Sequence, residues 1–122
     1  MSNILTQLNR KRLVVAVVGG PPSIPTDILS TFWKLSGVTI SWTASTGGTG
    51  LITYQVYSAT SYDGIYTEWE TPTTNTAKSA IIPIDTFIYF KVKAYDSNNV
   101  YSDFSAYTVF CTDGAGGPCF TP

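Results

Sequence analysis

The side chains that could carry chemistry are few in this 122-residue chain. It contains no histidine, so the residue that most often serves as an acid–base group or metal ligand near neutral pH is missing. Glu68 and Glu70 lie two positions apart and would point the same way on a strand. They could form a glycosidase pair, but the pKa values of two such carboxyls diverge only in a buried cleft. A solvated strand face is the better interpretation, and we expect no enzyme activity.

Cys111 and Cys119 flank a glycine-rich segment that is flexible enough to let their sulfur atoms meet. One alternative is a disulfide, and the other is a pair of free thiols. We favour free thiols, because the chain shows no signal peptide and would be made in a reducing cytoplasm. The pair cannot complete the four ligands of a structural zinc site, since neither histidine nor further cysteine is available. We expect neither a metal nor a cofactor.

Exposed aromatic residues are the remaining candidates for binding. Tyrosine and tryptophan near turns can anchor a partner or stack on a sugar. The alternative is that they form cross-strand pairs that only cover the sheet. The positions in question, at or near turns or on predicted outward strand faces, are Tyr62, Tyr66, Trp69, Tyr101 and Tyr107.

The elements that would position these residues are β-strands. From Pro25 onward, short runs rich in β-branched and aromatic residues are separated by turn residues, and no run has a helical period. The Asp63-Gly64 pair predicts a tight hairpin turn. The predicted strands are Thr26–Trp33, Gly37–Ala44, Leu51–Thr60, Tyr66–Glu70, Ala77–Ile84, Thr86–Asp96 and Phe104–Cys111.

Alternation along these strands predicts which side chains are buried. In the strand Thr86–Asp96, every second residue is apolar and faces the core, while Tyr89, Lys91, Lys93 and Tyr95 face outward. The same period places apolar residues of the second and third strands inward. The predicted core residues are Trp42, Tyr54, Phe90 and Val92.

These strands, in this order, resemble a fibronectin type III domain over about Pro22 to Thr112. The segments that carry the resemblance are Pro22-Ser-Ile-Pro25, Val38-Thr-Ile-Ser-Trp42, Tyr54-Gln-Val-Tyr57, Phe90-Lys-Val-Lys-Ala-Tyr-Asp96 and Ser102-Asp-Phe-Ser105. One position departs: the family's corner tyrosine falls on Ile88, with Tyr89 beside it, which puts the hydroxyl bond of that corner in question. The resemblance implies an all-β, fibronectin type III-like two-sheet antiparallel sandwich of about seven strands, used as a spacer or binding module without catalysis.

Three parts are expected along the chain: an N-terminal arm (residues 1–20), the sandwich (21–112) and a Gly/Pro-rich C-terminal tail (113–122). A short helix in the arm would place apolar side chains on one face and basic ones at its C-terminal end. Such a helix is stable only when packed, so we predict an assembly contact there. Its residues are Ile4, Leu5, Leu8, Arg10, Lys11 and Arg12.

Two further classes of partner are not expected. The apolar run Leu13–Val18 is too short for a secretory signal or a membrane span. Three adjacent basic residues give little affinity for nucleic acid, and the acidic remainder of the chain would repel phosphates.

Two functions stay open. The first is a non-catalytic structural subunit of a homo- or hetero-oligomeric assembly, docking through the arm. Its architecture is similar to that of Ig-like and fibronectin-like accessory proteins of bacteriophage virions, so the expected place is a virion, as capsid decoration, head fibre or tail component made in the host cytoplasm. The alternative is a recognition module, cytoplasmic or at a cell surface, that binds a glycan or a host-surface protein through aromatic loops.

Overall fold

The structure, a computed structural model, describes residues 20–72, 75–79 and 82–119. This part of the chain contains seven strands and no helix, and therefore no helix that could cross a membrane. The predicted assembly-contact residues Ile4, Leu5, Leu8, Arg10, Lys11 and Arg12 lie outside the described residues. The strands are β1 (Thr26–Trp33), β2 (Gly37–Thr43), β3 (Thr53–Ala59), β4 (Thr67–Glu70), β5 (Thr76–Ser79), β6 (Ile88–Tyr95) and β7 (Thr108–Phe110).

The strands form two sheets. One sheet has the order β1-β2-β5 and the other the order β4-β3-β6-β7, and every pairing is antiparallel. β3 and β6 pair over seven positions, from Thr53 opposite Tyr95 to Ala59 opposite Tyr89. The predicted two-sheet antiparallel sandwich is confirmed.

The core lies between the two sheets and is built by strict alternation. Along β6, Phe90, Val92 and Ala94 are fully buried, while Lys91 and Lys93 between them are half-buried on the other side. The reason is the two-residue period of a strand, which sends successive side chains to opposite faces. All four predicted core residues belong to one buried cluster: Trp42, Tyr54, Phe90 and Val92.

Ile88, at the position where the resemblance expects the corner tyrosine, is buried but has no hydroxyl group. Ile88 is part of the core cluster and only 9% exposed, so an aliphatic side chain occupies the place that the resemblance assigns to a tyrosine. Tyr89 faces the opposite side of the sheet, where its ring meets other tyrosines. Apolar packing, not a hydroxyl bond, therefore holds this corner.

The last strand is much shorter than predicted because serine side chains replace part of its ladder. The hydroxyl oxygens of Ser102 and Ser105 accept hydrogen bonds from the backbone N–H groups of Ala94 (3.0 Å) and Val92 (2.9 Å). Their own N–H groups donate to the carbonyls of the same two residues. The segment before β7 thus follows β6 with its backbone groups satisfied but without regular strand geometry.

The prediction of a hairpin turn centred on Asp63-Gly64 is one residue too late in the sequence. The N–H of Gly64 donates to the carbonyl of Ser61 at 3.1 Å, so the turn is Ser61–Gly64 with Tyr62 and Asp63 at its centre. Glycine stands at the last position, where type I turns favour it, and not at a central position that needs a positive φ. β3 and β4 are consequently joined by a loop longer than a two-residue hairpin connection.

Cys111 and Cys119 form a disulfide, with Cα atoms 5.5 Å apart. Between them, the carboxylate of Asp113 accepts hydrogen bonds from the N–H groups of Ala115 (2.7 Å) and Gly117 (3.1 Å), which closes the segment into a compact turn. These two bonds hold the pKa of Asp113 below its ordinary value. Our preference for free thiols is corrected: it rested on the apparent lack of a leader, whereas local turn geometry brings the sulfurs together.

Candidate binding surface

Seven of the eight tyrosines share one surface of the molecule, and Tyr54, in the core, is the exception. The surface is the outer side of the β4-β3-β6-β7 sheet together with the loops at its edge. We call it the tyrosine face. Its members are Tyr57, Tyr62, Tyr66, Tyr89, Tyr95, Tyr101, Tyr107, Phe104, Lys91 and Lys93.

One end of the tyrosine face is a cluster of three rings. Tyr89 and Tyr107 meet edge to face with centroids 5.3 Å apart, and Tyr62 lies 6.1 Å from Tyr107 and 6.5 Å from Tyr89. Tyr62 is 58% exposed and Tyr107 is 47% exposed. The cluster therefore supports itself through ring contacts and still presents two rings to solvent.

The other end is centred on Phe104. The ring of Tyr57 stands perpendicular to it at 5.0 Å, and that of Tyr66 lies 6.0 Å away. The hydroxyls of Tyr57 and Tyr95 are hydrogen-bonded to each other, and the ring of Tyr95 lies 5.7 Å from that of Tyr101. Four strands or loop segments thus contribute to one aromatic layer.

Two lysines of β6 are held within this layer by cation–π contacts. The Nζ of Lys91 lies 4.5 Å from the ring centre of Tyr66, and that of Lys93 lies 4.4 Å from Phe104 and 4.6 Å from Tyr101. An ammonium group within about 6 Å of an aromatic face is attracted by the ring quadrupole. The two cations are therefore placed at defined positions among the rings instead of extending freely into solvent.

Two tyrosines of the face, Tyr57 and Tyr66, have raised pKa values. Burial, the hydrogen bond to Tyr95 and the nearby charge of Glu68 raise the pKa of Tyr57 above its ordinary value. Burial also raises the pKa of Tyr66, with smaller contributions from Tyr107 and other neighbours. The Tyr66 hydroxyl donates to the carbonyl of Tyr62, and the Tyr57 hydroxyl is bonded to that of Tyr95, so both hydroxyls help to fix the layer.

Asp96 fixes the loop that carries Tyr101. Its carboxylate accepts hydrogen bonds from the N–H groups of Thr49 (3.0 Å), Asn98 (2.9 Å) and Val100 (3.0 Å). Burial alone would raise the pKa of Asp96, but these three bonds outweigh it and the pKa is lowered. The same residue therefore ties the β2–β3 loop to the β6–β7 segment and orients the edge of the tyrosine face.

The structure brings three of the four predicted recognition residues to this surface, namely Tyr62, Tyr66 and Tyr101, and it places Trp69 elsewhere. The ring of Trp69 packs edge to face on Phe90 with centroids 4.8 Å apart, on the inner side of β4. The prediction that it faces outward is wrong, because Glu68 and Glu70 occupy the outward positions and the period of two turns the residue between them inward.

Sequence reasoning missed several members of the face. Tyr57, Tyr95 and Phe104 were not singled out, although the alternation of tyrosine and lysine along β6 was visible as the sequence signal. Tyr89 was predicted to face outward but was not considered for binding. The signal was incomplete because Phe104 and Tyr57 approach one another only through the sheet order, which brings distant segments together.

Other features of the described residues offer little chemistry. No group of three or more His, Cys, Asp or Glu side chains lies close enough there to hold a metal ion. Glu68 and Glu70 are both exposed on β4. A cleft of about 390 Å³ opens at one end of the sandwich, lined in part by Ile65, Trp69 and Ile88. Rings, hydroxyls and two ammonium groups make the tyrosine face suited to binding.

Comparison with solved structures defines the fold as that of a fibronectin type III domain. An Fn3-like protein from Clostridium thermocellum superposes with a TM-score of 0.63 at 24% identity, covering 74% of this chain and 92% of that one. The human fibronectin type III domain containing protein 3 supplies a domain with a TM-score of 0.63 at 21% identity, covering 78% and 91%. The twitchin kinase region from C. elegans gives 0.69 at 14%, covering 78% and 17%. Domains with this fold are generally structural or binding modules without catalysis.

Sequence comparison gives one further relative. Chitinase A1 from Niallia circulans is 38% identical over 76 residues, which make up 62% of this chain. The chain spans only 10% of the length of that enzyme. No protein-family model matches the chain.

Proposed function

We propose that the protein is a non-catalytic recognition module that binds a glycan through the tyrosine face. The observation that carries the proposal is the gathering of seven tyrosines on one side of one sheet, with Tyr62, Tyr101 and Tyr107 each about half exposed. Tyrosine presents a large, rigid and amphipathic contact area at a low cost in conformational entropy. A sheet surface that only needed to be soluble would not require it.

The choice of a glycan over a surface protein is supported by the relative. The matching stretch belongs to an enzyme named for its action on chitin, a polysaccharide. A polysaccharide offers the apolar ring faces and the hydroxyl groups that an open layer of amphipathic tyrosine side chains can contact. A host-surface protein is the competing ligand.

The proposal is tested by substitution on the face. Tyr101→Ala and Tyr107→Ala are expected to weaken binding to a panel of soluble polysaccharides, measured as retardation in gels that contain each polymer. Leu51→Ala is a matched control, since Leu51 is exposed but belongs to the β2–β3 connection and not to the tyrosine face. Unchanged retardation of both tyrosine variants, or equal loss in the control, would contradict the proposal.

A second proposed function is that of a structural subunit, as in a phage virion, docking through residues 1–20. The specific observation that favours it is on edge strand β1 and the turn after it, where Leu29 is 55% exposed and Leu35 is 62% exposed. Such exposed apolar side chains offer a surface on which a neighbouring subunit can pack. The two functions are compatible, because Leu29 and Leu35 do not belong to the tyrosine face.

Light scattering tests the structural role. The full chain is compared with a version that starts at Pro21 and with a full-length L29E/L35E variant. A large assembly that becomes a monomer on truncation supports docking through the arm, and dissociation of the variant adds β1 to the contact. A monomer in all three cases would show that self-assembly is not the function.

A further inference from the structure

The tyrosine face carries two positive charges at its centre, while the carboxylates of Asp63 and Glu68 lie near Tyr66 and Tyr57. From residue 20 onward the chain has four lysines against eight aspartates and glutamates. Two of these lysines, Lys91 and Lys93, lie at the centre of the tyrosine face. The other two, Lys34 and Lys78, lie against Trp33 on the opposite sheet, with Nζ atoms 5.1 Å and 5.2 Å from its ring centre.

The charges of Lys91 and Lys93 are held in place without being neutralised. Within the described residues, neither ammonium group has a carboxylate at ion-pair distance, and the contacts that fix them are the rings of Tyr66, Phe104 and Tyr101. An aromatic ring attracts a cation but carries no net charge of its own. Both positive charges therefore remain available to a ligand.

The two cations lie in one row with two tyrosines along β6. Lys91 and Lys93 are two positions apart on β6, so their Cα atoms are separated by roughly 7 Å along the strand. Tyr89 continues the row at one end and Tyr95 at the other. A ligand that lies along β6 thus meets a ring, two cations and a ring in succession.

We propose, on the basis of the glycan-binding function above, that the ligand is an acidic polysaccharide whose sugar rings lie on the tyrosines and whose carboxylates pair with Lys91 and Lys93. A neutral glycan would leave two fixed ammonium groups unmatched. A polyanion without rings would leave the aromatic layer unused. Glu68 lies across β3 at the β4 edge and opposes such a ligand there, which directs its path along β6.

The experiment compares polygalacturonate with the same polymer after complete methyl esterification, so that the sugar is kept and the charge is removed. Affinity electrophoresis is run with the full-length protein at low and at high salt. We expect the wild type to bind polygalacturonate at least about tenfold more tightly than its ester. Raising the salt should narrow this difference, because exposed charges are screened.

Matched lysine variants locate the effect. K91Q/K93Q is expected to lose the preference for the charged polymer, and K34Q/K78Q, which changes the net charge equally beside another aromatic ring, is expected to keep it. E68Q is expected to strengthen binding slightly. Circular dichroism checks that each variant is folded.

The outcomes separate the two proposals. Equal binding of both polymers, lost in Tyr101→Ala and Tyr107→Ala, would overturn the acidic ligand and leave glycan binding intact. Poly-glutamate bound as tightly as polygalacturonate would overturn the need for sugar rings. Failure to bind polygalacturonate, alginate or hyaluronate overturns the inference, and failure with neutral polymers as well overturns the proposed function.

Discussion

The two sides of β6 differ in burial, although both are set by the same alternation of side chains along the strand. Its inner side is fully buried through Phe90, Val92 and Ala94, and these side chains are packed by β2 and β3. Its outer side carries Tyr89, Lys91, Lys93 and Tyr95, which are only half-buried. Burial of the inner side chains stabilises the fold, whereas the outer side chains keep surface that solvent or a ligand can reach.

The outer layer contributes little to the stability of the fold, and its exposed surface remains available for binding a ligand. Inner side chains gain the full transfer free energy, about 1.5–3 kcal/mol for a large apolar residue. Outer side chains gain only part of it and a few weak ring contacts. Substitutions should therefore divide cleanly between those that lower stability and those that lower binding.

Phe90→Ala is expected to give the largest effect. Phe90 is fully buried, so its truncation removes apolar contacts and leaves a cavity that costs about 3–5 kcal/mol. Tyr107→Ala, on the outer side, should cost less than about 1 kcal/mol. Urea unfolding followed by tryptophan fluorescence measures both, and comparable losses would break the distinction between the two sides.

Removal of the disulfide should come next. Replacing both cysteines by serine opens a loop with a sequence separation of 8, for which chain entropy gives a loss of about 2–3 kcal/mol. The bridge lies outside both layers of β6, so the polysaccharide affinity of the tyrosine face should not change. Thermal unfolding with and without reductant provides the measurement, and an unaltered melting temperature would show that the bridge contributes nothing.

Ser102→Ala is expected to cost about 1–3 kcal/mol, because the buried N–H of Ala94 loses its hydroxyl acceptor. This change removes a hydrogen bond of the β6 backbone and leaves the side chains on both sides of β6 unaltered. Ser97→Ala is the control, since that hydroxyl donates to the carbonyl of Thr49 at an exposed site. Equal losses in the two variants, by urea unfolding, would mean that burial of the acceptor is unimportant.

The pH dependence should be the smallest effect. The folded pKa of Asp96 lies below its ordinary value of 3.8, so the carboxylate stabilises the fold above that pH. This stabilisation is lost as the pH falls through the lowered pKa, where the folded carboxyl takes up its proton. Asp113 behaves in the same way.

Melting temperatures between pH 7 and pH 2 test this. Asp96→Asn should be less stable than the wild type at pH 7 and should show a weaker decline in acid. Asp113→Asn serves as the comparison outside the tyrosine face. A variant that declines in acid as steeply as the wild type would show that Asp96 titrates with an ordinary pKa.

Much of the fold could be predicted from the sequence because period-two alternation is a local signal. β1 agrees with its prediction at both ends, and the inward row of β6 is read directly from alternate apolar residues. The length of β7 could not be predicted, because Ser102 and Ser105 accept backbone bonds from a strand that pairs with them only in the folded sheet. The disulfide depended on a turn that Asp113 organises through its side chain.

Only part of the tyrosine face could be predicted from the sequence in the same way. Tyr62 and Tyr101 stood out as aromatics near turns, but an exposed aromatic and a member of a layer look alike in a linear sequence. The outward orientation predicted for Trp69 is wrong because the two-residue alternation of β4 turns its side chain inward. The contacts of Phe104 with Tyr57 and Tyr66 depend on sheet order, which no local pattern contains.

The two ends of the described sandwich imply a mechanical property. Pro22 pairs with Gly47 in the β2–β3 loop, whereas the hydroxyl of Thr112 donates to the carbonyl of Leu35, beyond the far end of β1. Tension applied at these two points would act along the strands and load the β1–β2 hydrogen bonds in shear, all at once, instead of opening them one by one.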